Sequence, residues 1–257
     1  MRANIRSIPR RFTLLVLTAA ALWGANDAGL TIGTRFSGGR LQPGPKGAVV
    51  LLQGSKTQLD ELRERYQDSR KLGLLATSVA GPGSGWIVLD SKSSILAKYD
   101  PSYTLAAILV HRFGWTPPDA TELQSRQLTA SIGASNSSVV QGQRIALFID
   151  VDLEPDMHVY APGVEGYIPI DWKMENSSLA EAHAPEFPKP EKLYLKAIDE
   201  TVPAYRNRFR LIRDVTITAP ASGPVTLDGS LRYQACDDRV CYIPQTLRLH
   251  WMFHPRP

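Results

Sequence analysis

The first hundred residues alternate short apolar runs with amphipathic segments. The run GAVVLLQ (residues 47–53) predicts a strand. The segment after it begins at a cap, Ser55 or Thr57, and stops at Gly73. Its apolar residues recur at helical spacing: Leu59, Leu62 and Tyr66. The pattern therefore predicts a strand followed by a helix.

The next segments continue this alternation of short elements. LLATSVA (residues 74–80) predicts a second strand, and residues 85–100 predict a hairpin that turns between Asp90 and Ser94. SYTLAAILVHRFG predicts a helix that ends at Gly114. The order strand, helix, strand, hairpin, helix predicts a small α/β unit over residues 30–115.

Beyond this unit the hydrophobic period changes. Residues 116–137 contain TPPDA and GASNSS and have few apolar residues, which predicts a linker. After it, apolar residues alternate with smaller or polar ones, first at Ile145, Leu147, Ile149, Val151 and Leu153. Further alternating runs without an intervening helix predict an antiparallel β-sandwich over residues 138–257. Residues 184–205 are rich in proline, which predicts a long loop at one end.

Length and charge narrow the classes of function. The chain has 257 residues with 43% apolar content, enough for two domains with their own cores. Residues 1–28 carry four arginines and no acid before the apolar run Phe12–Trp23 ends, which predicts a signal peptide or an amino-terminal anchor; a buried strand or helix is the alternative. Without those arginines the formal net charge falls from +4 to zero, so no nucleic-acid partner is expected. We expect a periplasmic or otherwise exported protein, in a compartment where disulfides persist.

The chain has two cysteines, Cys236 and Cys241, with four residues between them. A metal site would need further ligands, and neither the scattered histidines nor a second cysteine pair supplies them, so no metal and no cofactor are predicted. A structural disulfide across so short a loop contributes only about 2 kcal/mol. Short-loop disulfides are also more easily reduced, which favours a redox pair.

The charges around the pair predict which sulfur attacks. Asp237 and Asp238 follow Cys236 and oppose a thiolate there, whereas Cys241 lies beyond Arg239. We therefore expect Cys241 to attack and Cys236 to resolve the mixed disulfide.

Three segments resemble the amino-terminal domain of the DsbD thiol:disulfide interchange proteins. They are LRYQACDDRVCYIPQTLRLHW, DMHVYAPG and VPAYRNRFRLIRDVTI, and the resemblance covers about residues 138–257. It implies an immunoglobulin-like sandwich, a redox-active disulfide and a role near cytochrome c biogenesis. Ile243 departs from the family, which usually has a proline there, and YLKAIDETV shows no clear counterpart of the cap over the family's cysteines.

The resemblance also implies site residues and partners. The second cysteine attacks, in agreement with the charges around Cys241, and electrons pass between a thioredoxin-like or membrane electron-donor protein and client disulfide proteins. Supporting residues are expected beside the cysteines: Tyr160, His158, Asp237, Tyr233 and Tyr242. For Tyr160 and His158 the alternative is an ordinary place in a strand.

The first unit resembles the thioredoxin-like redoxins of the AhpC/TSA type, through KTQLDELRERYQDSRKLGL and GWIVLDSKSSILAKYD. Ser55 stands where redoxins carry the reactive cysteine, so this unit is expected to be truncated and inactive. The sequence thus predicts an α+β two-domain protein: a small truncated thioredoxin-like α/β unit followed by an antiparallel immunoglobulin-like β-sandwich. The leading hypothesis is an exported thiol:disulfide interchange protein; the alternative is a non-enzymatic interaction module with a structural disulfide.

Overall fold

The computed structural model describes residues 35–36, 41–79, 83–196, 199–218 and 223–256. The predicted signal peptide or anchor, residues 1–28, lies outside these ranges. The chain divides into two compact units, one ending at Pro101 and the other beginning at Ser102. Within the described ranges, no helix has the length and apolar character needed to cross a membrane.

The first unit is a four-stranded sheet with helices between its first two strands. Its elements are β1 Gly47–Leu52, α1 Lys56–Glu64, α2 Tyr66–Lys71, β2 Leu74–Val79, β3 Gly85–Leu89 and β4 Ile95–Tyr99. The strand order is β2-β1-β3-β4, with β1 parallel to β2 and the other neighbours antiparallel. Strand β1 is buried along its whole length, as its unbroken apolar run predicts.

Local sequence signals account for the ends of these elements. Ser55 caps α1 through a capping box with Gln58. Gly73 has a φ of 76°, where glycine is favoured, and ends the helical segment. The Asp90 carboxylate accepts hydrogen bonds from the backbone N–H of Lys92 and Ser94 and closes the hairpin. The predicted strand, helix, strand and hairpin are confirmed; the thioredoxin-like assignment of this unit stays a prediction.

The second unit is mostly β-sheet. It begins with one helix, α3 Leu105–Phe113. Its strands are β5 Thr121–Gln124, β6 Leu128–Ala134, β7 Ser138–Val139, β8 Arg144–Leu153, β9 His158–Tyr160, β10 Asp171–Met174, β11 Ala180–Glu186, β12 Glu191–Leu195, β13 Glu200–Arg206, β14 Arg208–Ile217, β15 Val225–Tyr233, β16 Ala235–Cys236 and β17 Gln245–Pro255.

Two of its sheets enclose the main core of this unit. The five-stranded sheet has the order β11-β14-β8-β6-β5, and the four-stranded sheet has the order β10-β15-β17-β7. The alternating residues of β8 that the sequence singles out all contribute to the core between the sheets. Trp172 and Trp251 pack beside each other there, with ring centroids 5.9 Å apart. The alternation along each strand therefore sets which residues face the core.

The structure corrects the prediction of a linker over residues 116–137. Residues 116–137 contain β5 and β6, and β6 pairs with β8 from Leu128 to Ala134 in continuous antiparallel register. The core-facing residues of β6 are Leu128, Ala130 and Ile132, and one of these is a small alanine. The strand is therefore buried although its sequence has few large apolar residues. Helix α3 belongs to the second unit and packs on β8, outside the core between the sheets.

A third, small sheet carries the cysteines. Its order is β12-β13-β9-β16, and β16 ends at Cys236. Strands β12 and β13 form a hairpin over residues 191–206, which corrects the prediction of a long loop over residues 184–205. Pro203 is accommodated because pairing of β13 with β9 begins at the next residue, Ala204. The proline-rich segment therefore becomes a hairpin beside the cysteine loop.

Candidate active site

Cys236 and Cys241 form a disulfide in the structure. Cys236 lies at the end of β16 and is 1% exposed, whereas Cys241 is exposed after the four-residue loop. The two residues also form an isolated antiparallel bridge, with Cα atoms 4.0 Å apart. A thiolate arriving from solution therefore has access to Cys241, while Cys236 is shielded.

Asp237 holds the loop between the cysteines. Its Oδ1 accepts hydrogen bonds from the backbone N–H groups of Val240 and Arg239, at 2.8 and 2.7 Å, and its Oδ2 accepts one from the hydroxyl of Tyr242 at 3.0 Å. The backbone bonds, with that of Tyr242, lower the pKa of Asp237. The hydrogen bond to Asp237 in turn raises the pKa of Tyr242. Both predicted residues thus lie at the loop and give it a defined conformation.

Tyr160 lies beside the exposed cysteine. Its hydroxyl oxygen is 3.8 Å from Sγ of Cys241, and its side chain is buried, which raises its pKa. The ring packs against that of Tyr167, with centroids 4.2 Å apart. The hydroxyl of Tyr167 donates to Oε2 of Glu200 at 2.6 Å, and this hydrogen bond raises the pKa of Tyr167 to about 12. A chain of contacts thus runs from Glu200 to the cysteine sulfur.

His158 lies beside the buried cysteine. It pairs with Cys236 across the β9–β16 ladder and is 2% exposed. Burial, followed by the charge of Arg206, lowers the pKa of His158. Its ring meets that of Tyr160 edge to face, with centroids 5.4 Å apart. The predicted supporting residues His158 and Tyr160 therefore flank the two sulfurs from one strand.

Tyr233 is not brought to the disulfide. It is fully buried in the core of the sandwich, and its hydroxyl donates to Oγ of Ser125 at 2.8 Å. Tyr233 lies only three residues before Cys236 in sequence, but β15 ends at Tyr233 and Cys236 belongs to β16 in a different sheet.

A cleft of about 640 Å³ opens beside Cys241. Its lining residues come from β9, the segment between β9 and β10, the β12–β13 hairpin and the cysteine loop: Tyr160, Tyr167, Tyr194, Leu195, Lys196, Asp237, Asp238, Arg239, Val240 and Cys241. Sequence reasoning did not select Tyr167, Tyr194 or Glu200. The available signal was the recurrence of tyrosine within otherwise polar, proline-containing segments. The β12–β13 hairpin thus contributes Tyr194, Leu195 and Lys196 to the cleft beside Cys241, although the sequence of this hairpin showed no clear counterpart of the family's cap.

Residues 125–250 match the family model described as "Thiol:disulfide interchange protein DsbD, N-terminal". This match confirms the resemblance of the sandwich to the DsbD amino-terminal domain. It begins inside the segment predicted as a linker, in agreement with the strands found there. No protein of curated function matches the sequence.

Three solved structures resemble parts of the chain. The N-terminal periplasmic domain of ScsB from Proteus mirabilis is 16% identical, with a TM-score of 0.38 over 53% of this chain and 49% of that one. The DsbD N-terminal domain of Neisseria meningitidis, in the reduced form, is 17% identical, with a TM-score of 0.29 over 43% and 82%. A cohesin module of a Clostridium perfringens family 33 glycoside hydrolase is 10% identical, with a TM-score of 0.31 over 51% and 100%. The chain thus spans about half of the ScsB structure that it matches.

Proposed function

We propose that this protein is an exported thiol:disulfide interchange protein that passes electrons through Cys236 and Cys241 to partner disulfides. The observation that carries the proposal is the unequal exposure of the two joined cysteines at a cleft, within the segment that matches the DsbD amino-terminal family. A purely structural disulfide needs no access from solution for one of its sulfurs.

The exchange proceeds in two balanced steps from the dithiol form. The Cys241 thiolate attacks one sulfur of the partner disulfide, and the other partner sulfur leaves as a thiolate. Cys236 then attacks Sγ of Cys241, loses its proton and releases the second partner thiolate. Two electrons pass to the partner, and the Cys236–Cys241 disulfide forms.

Tyr160 has a defined role in this sequence. Its hydroxyl, near Sγ of Cys241, donates a hydrogen bond to the thiolate and so favours the ionised nucleophile. Because Tyr160 is itself buried and its own pKa is raised, it remains a donor at neutral pH.

The partners that fit the cleft are proteins with an accessible disulfide or dithiol. Apolar side chains project beside Cys241: Val240 and Tyr194 are each 53% exposed and Ile243 is 80% exposed. Such exposed apolar groups favour transient protein contact. We infer a thioredoxin-like or membrane electron-donor protein on one side of the transfer and client disulfide proteins on the other, in the periplasm or another exported compartment.

Equilibration in glutathione buffers tests the redox role. A labile disulfide is expected to have a potential above about −300 mV, whereas a value well below that figure would support the rival function, an interaction module with a structural disulfide. Trapping tests the order of attack: Cys236→Ala should accumulate mixed disulfides through Cys241, and Cys241→Ala should not. The reverse result would exchange the two roles.

The first unit is proposed to have no redox activity of its own. Neither cysteine of the chain falls within residues 30–115, and Ser55 takes up no electrons from a dithiol. Its role is then structural or partner-binding. Consumption of peroxide by a double Cys236→Ala, Cys241→Ala variant would contradict this assignment.

A further inference from the structure

An unpartnered nitrogen lies in the interior beside the cysteines. Nε2 of His158 is buried and has no hydrogen-bond partner among the residues that the structure describes. Buried polar atoms are almost always hydrogen-bonded, so an orphan calls for a reason. A group that becomes a partner only in the reduced or reacting protein would supply one.

The strand register places this imidazole next to the buried cysteine. His158 and Cys236 are direct partners in the antiparallel β9–β16 ladder. Such partners project from the same face of the sheet with Cβ atoms about 5 Å apart, within reach of an aromatic side chain. The contact of the His158 ring with Tyr160 agrees, because Tyr160 lies on that face and approaches Cys241.

The surroundings keep this imidazole neutral. Arg206 is the register partner of His158 on β13, and its charge adds to the effect of burial, whereas Asp238 and Asp237 of the cysteine loop act in the opposite direction. The net effect lowers the pKa of His158, so at neutral pH a ring nitrogen retains its lone pair.

The buried cysteine is the one that needs such a group. In the dithiol form the Cys236 thiol would be shielded, and burial disfavours its thiolate. It must nevertheless lose a proton when it attacks the mixed disulfide. The exposed Cys241 can give its proton to water, but Cys236 has little access to water.

We propose that His158 is the base for the resolving cysteine. Its Nε2 accepts the Cys236 thiol proton as Sγ of Cys236 bonds to Sγ of Cys241, and the partner sulfur leaves as a thiolate. In the reverse direction the imidazolium returns the proton to Cys236. This inference rests on the proposed function, because it assigns a residue to the second step of that exchange.

The test follows the two steps separately in the full-length chain. Reduced protein is mixed with oxidised glutathione at pH 7, samples are quenched with acid, and mass spectrometry measures the glutathione adduct on Cys241. Its formation depends on glutathione concentration, and its decay is unimolecular. In His158→Phe we expect decay to slow by about a hundred-fold, the lower end of the range for a general base, while formation changes less than about two-fold. The deficit should shrink as the pH rises toward 9, because hydroxide then competes with the imidazole for the Cys236 proton.

Controls keep the test decisive. His158→Gln retains a hydrogen-bonding side chain but does not titrate, so it should decay as slowly as His158→Phe; full recovery would overturn the role as a base. His250→Gln, on the exposed part of β17, should match the wild type. Thermal unfolding of each oxidised variant checks the fold, and unequal effects on the two steps exclude general damage, which would slow both.

The outcomes separate this inference from the proposed function. A wild-type chain and a Cys236→Ala variant that both form no adduct would contradict the proposed function and this inference together. Adducts that form and decay equally fast in His158→Phe and the wild type would overturn only the role of His158.

Discussion

The hydroxyl oxygen of Tyr160 lies 3.8 Å from Sγ of Cys241, on the exposed side of the disulfide. This relationship joins a buried phenol to the more exposed of the two cysteines. Because strand pairing and ring packing hold the phenol, we expect it to stay in place when the disulfide opens.

Replacing Tyr160 with phenylalanine should raise the pKa of the Cys241 thiol in the reduced protein. The variant removes a hydrogen bond to the thiolate worth about 1 kcal/mol, so attack on a model disulfide at pH 7 should slow by about five-fold. The measurement is the thiolate absorbance at 240 nm as a function of pH. Tyr194→Phe is the matched control, since its hydroxyl bonds to Asp199 instead of sulfur. Equal titration curves for wild type and Tyr160→Phe would contradict the assigned contact.

Replacing Glu200 with glutamine should lower the pKa of Tyr167 from about 12 toward its ordinary value. The carboxylate accepts the phenolic proton and repels the phenolate, and the amide does not repel it. Ultraviolet titration at 295 nm, with Tyr167→Phe to identify the signal, measures the shift. Asp199→Gln should leave that signal unchanged, because Asp199 bonds to Tyr194.

Asp214 should make the stability of the second unit depend on acid. Burial acts to raise its pKa, but hydrogen bonds with His111 and Tyr103 outweigh burial and lower it. A carboxyl whose folded pKa is depressed stabilises the protein above its unfolded value near 3.9, and this contribution is lost as pH falls through the folded pKa. The wild type should therefore lose more stability below about pH 4 than Asp214→Asn, which should already be about 2 kcal/mol less stable at pH 7. Denaturant unfolding at both pH values tests this; parallel losses would contradict it.

A chain that begins at Ser102 should fold and retain the disulfide, whereas one that begins at Gln124 should be less stable. The longer chain keeps α3 and β5, while the shorter one loses α3, which packs on β8, the strand of the fully buried Phe148. Exposing a Phe side chain costs about 2 kcal/mol. Thermal unfolding compares the two; equal stability would show that α3 contributes nothing to the sandwich.

Most of the strands could be predicted from local patterns. Alternation revealed β8, β14, β15 and β17, and capping residues revealed the helices, because these signals depend on nearest neighbours along the chain. The sequence around Cys236 and Cys241 also resembled the DsbD amino-terminal domain, and the family-model match over residues 125–250 supports that resemblance. The redox role of the two cysteines stays a prediction.

Tertiary structure decided the rest, because long-range pairing leaves little trace in local sequence. Strand β6 becomes a strand by pairing with β8, and the proline-containing hairpin β12–β13 forms beside the cysteine loop although its composition is typical of a loop. By itself, the sequence determined that two cysteines lie close together among acidic and aromatic residues. Only the folded chain decided that Cys236 is buried opposite His158 while Cys241 faces the cleft beside Tyr160, because exposure and cross-strand contact arise from segments distant in sequence.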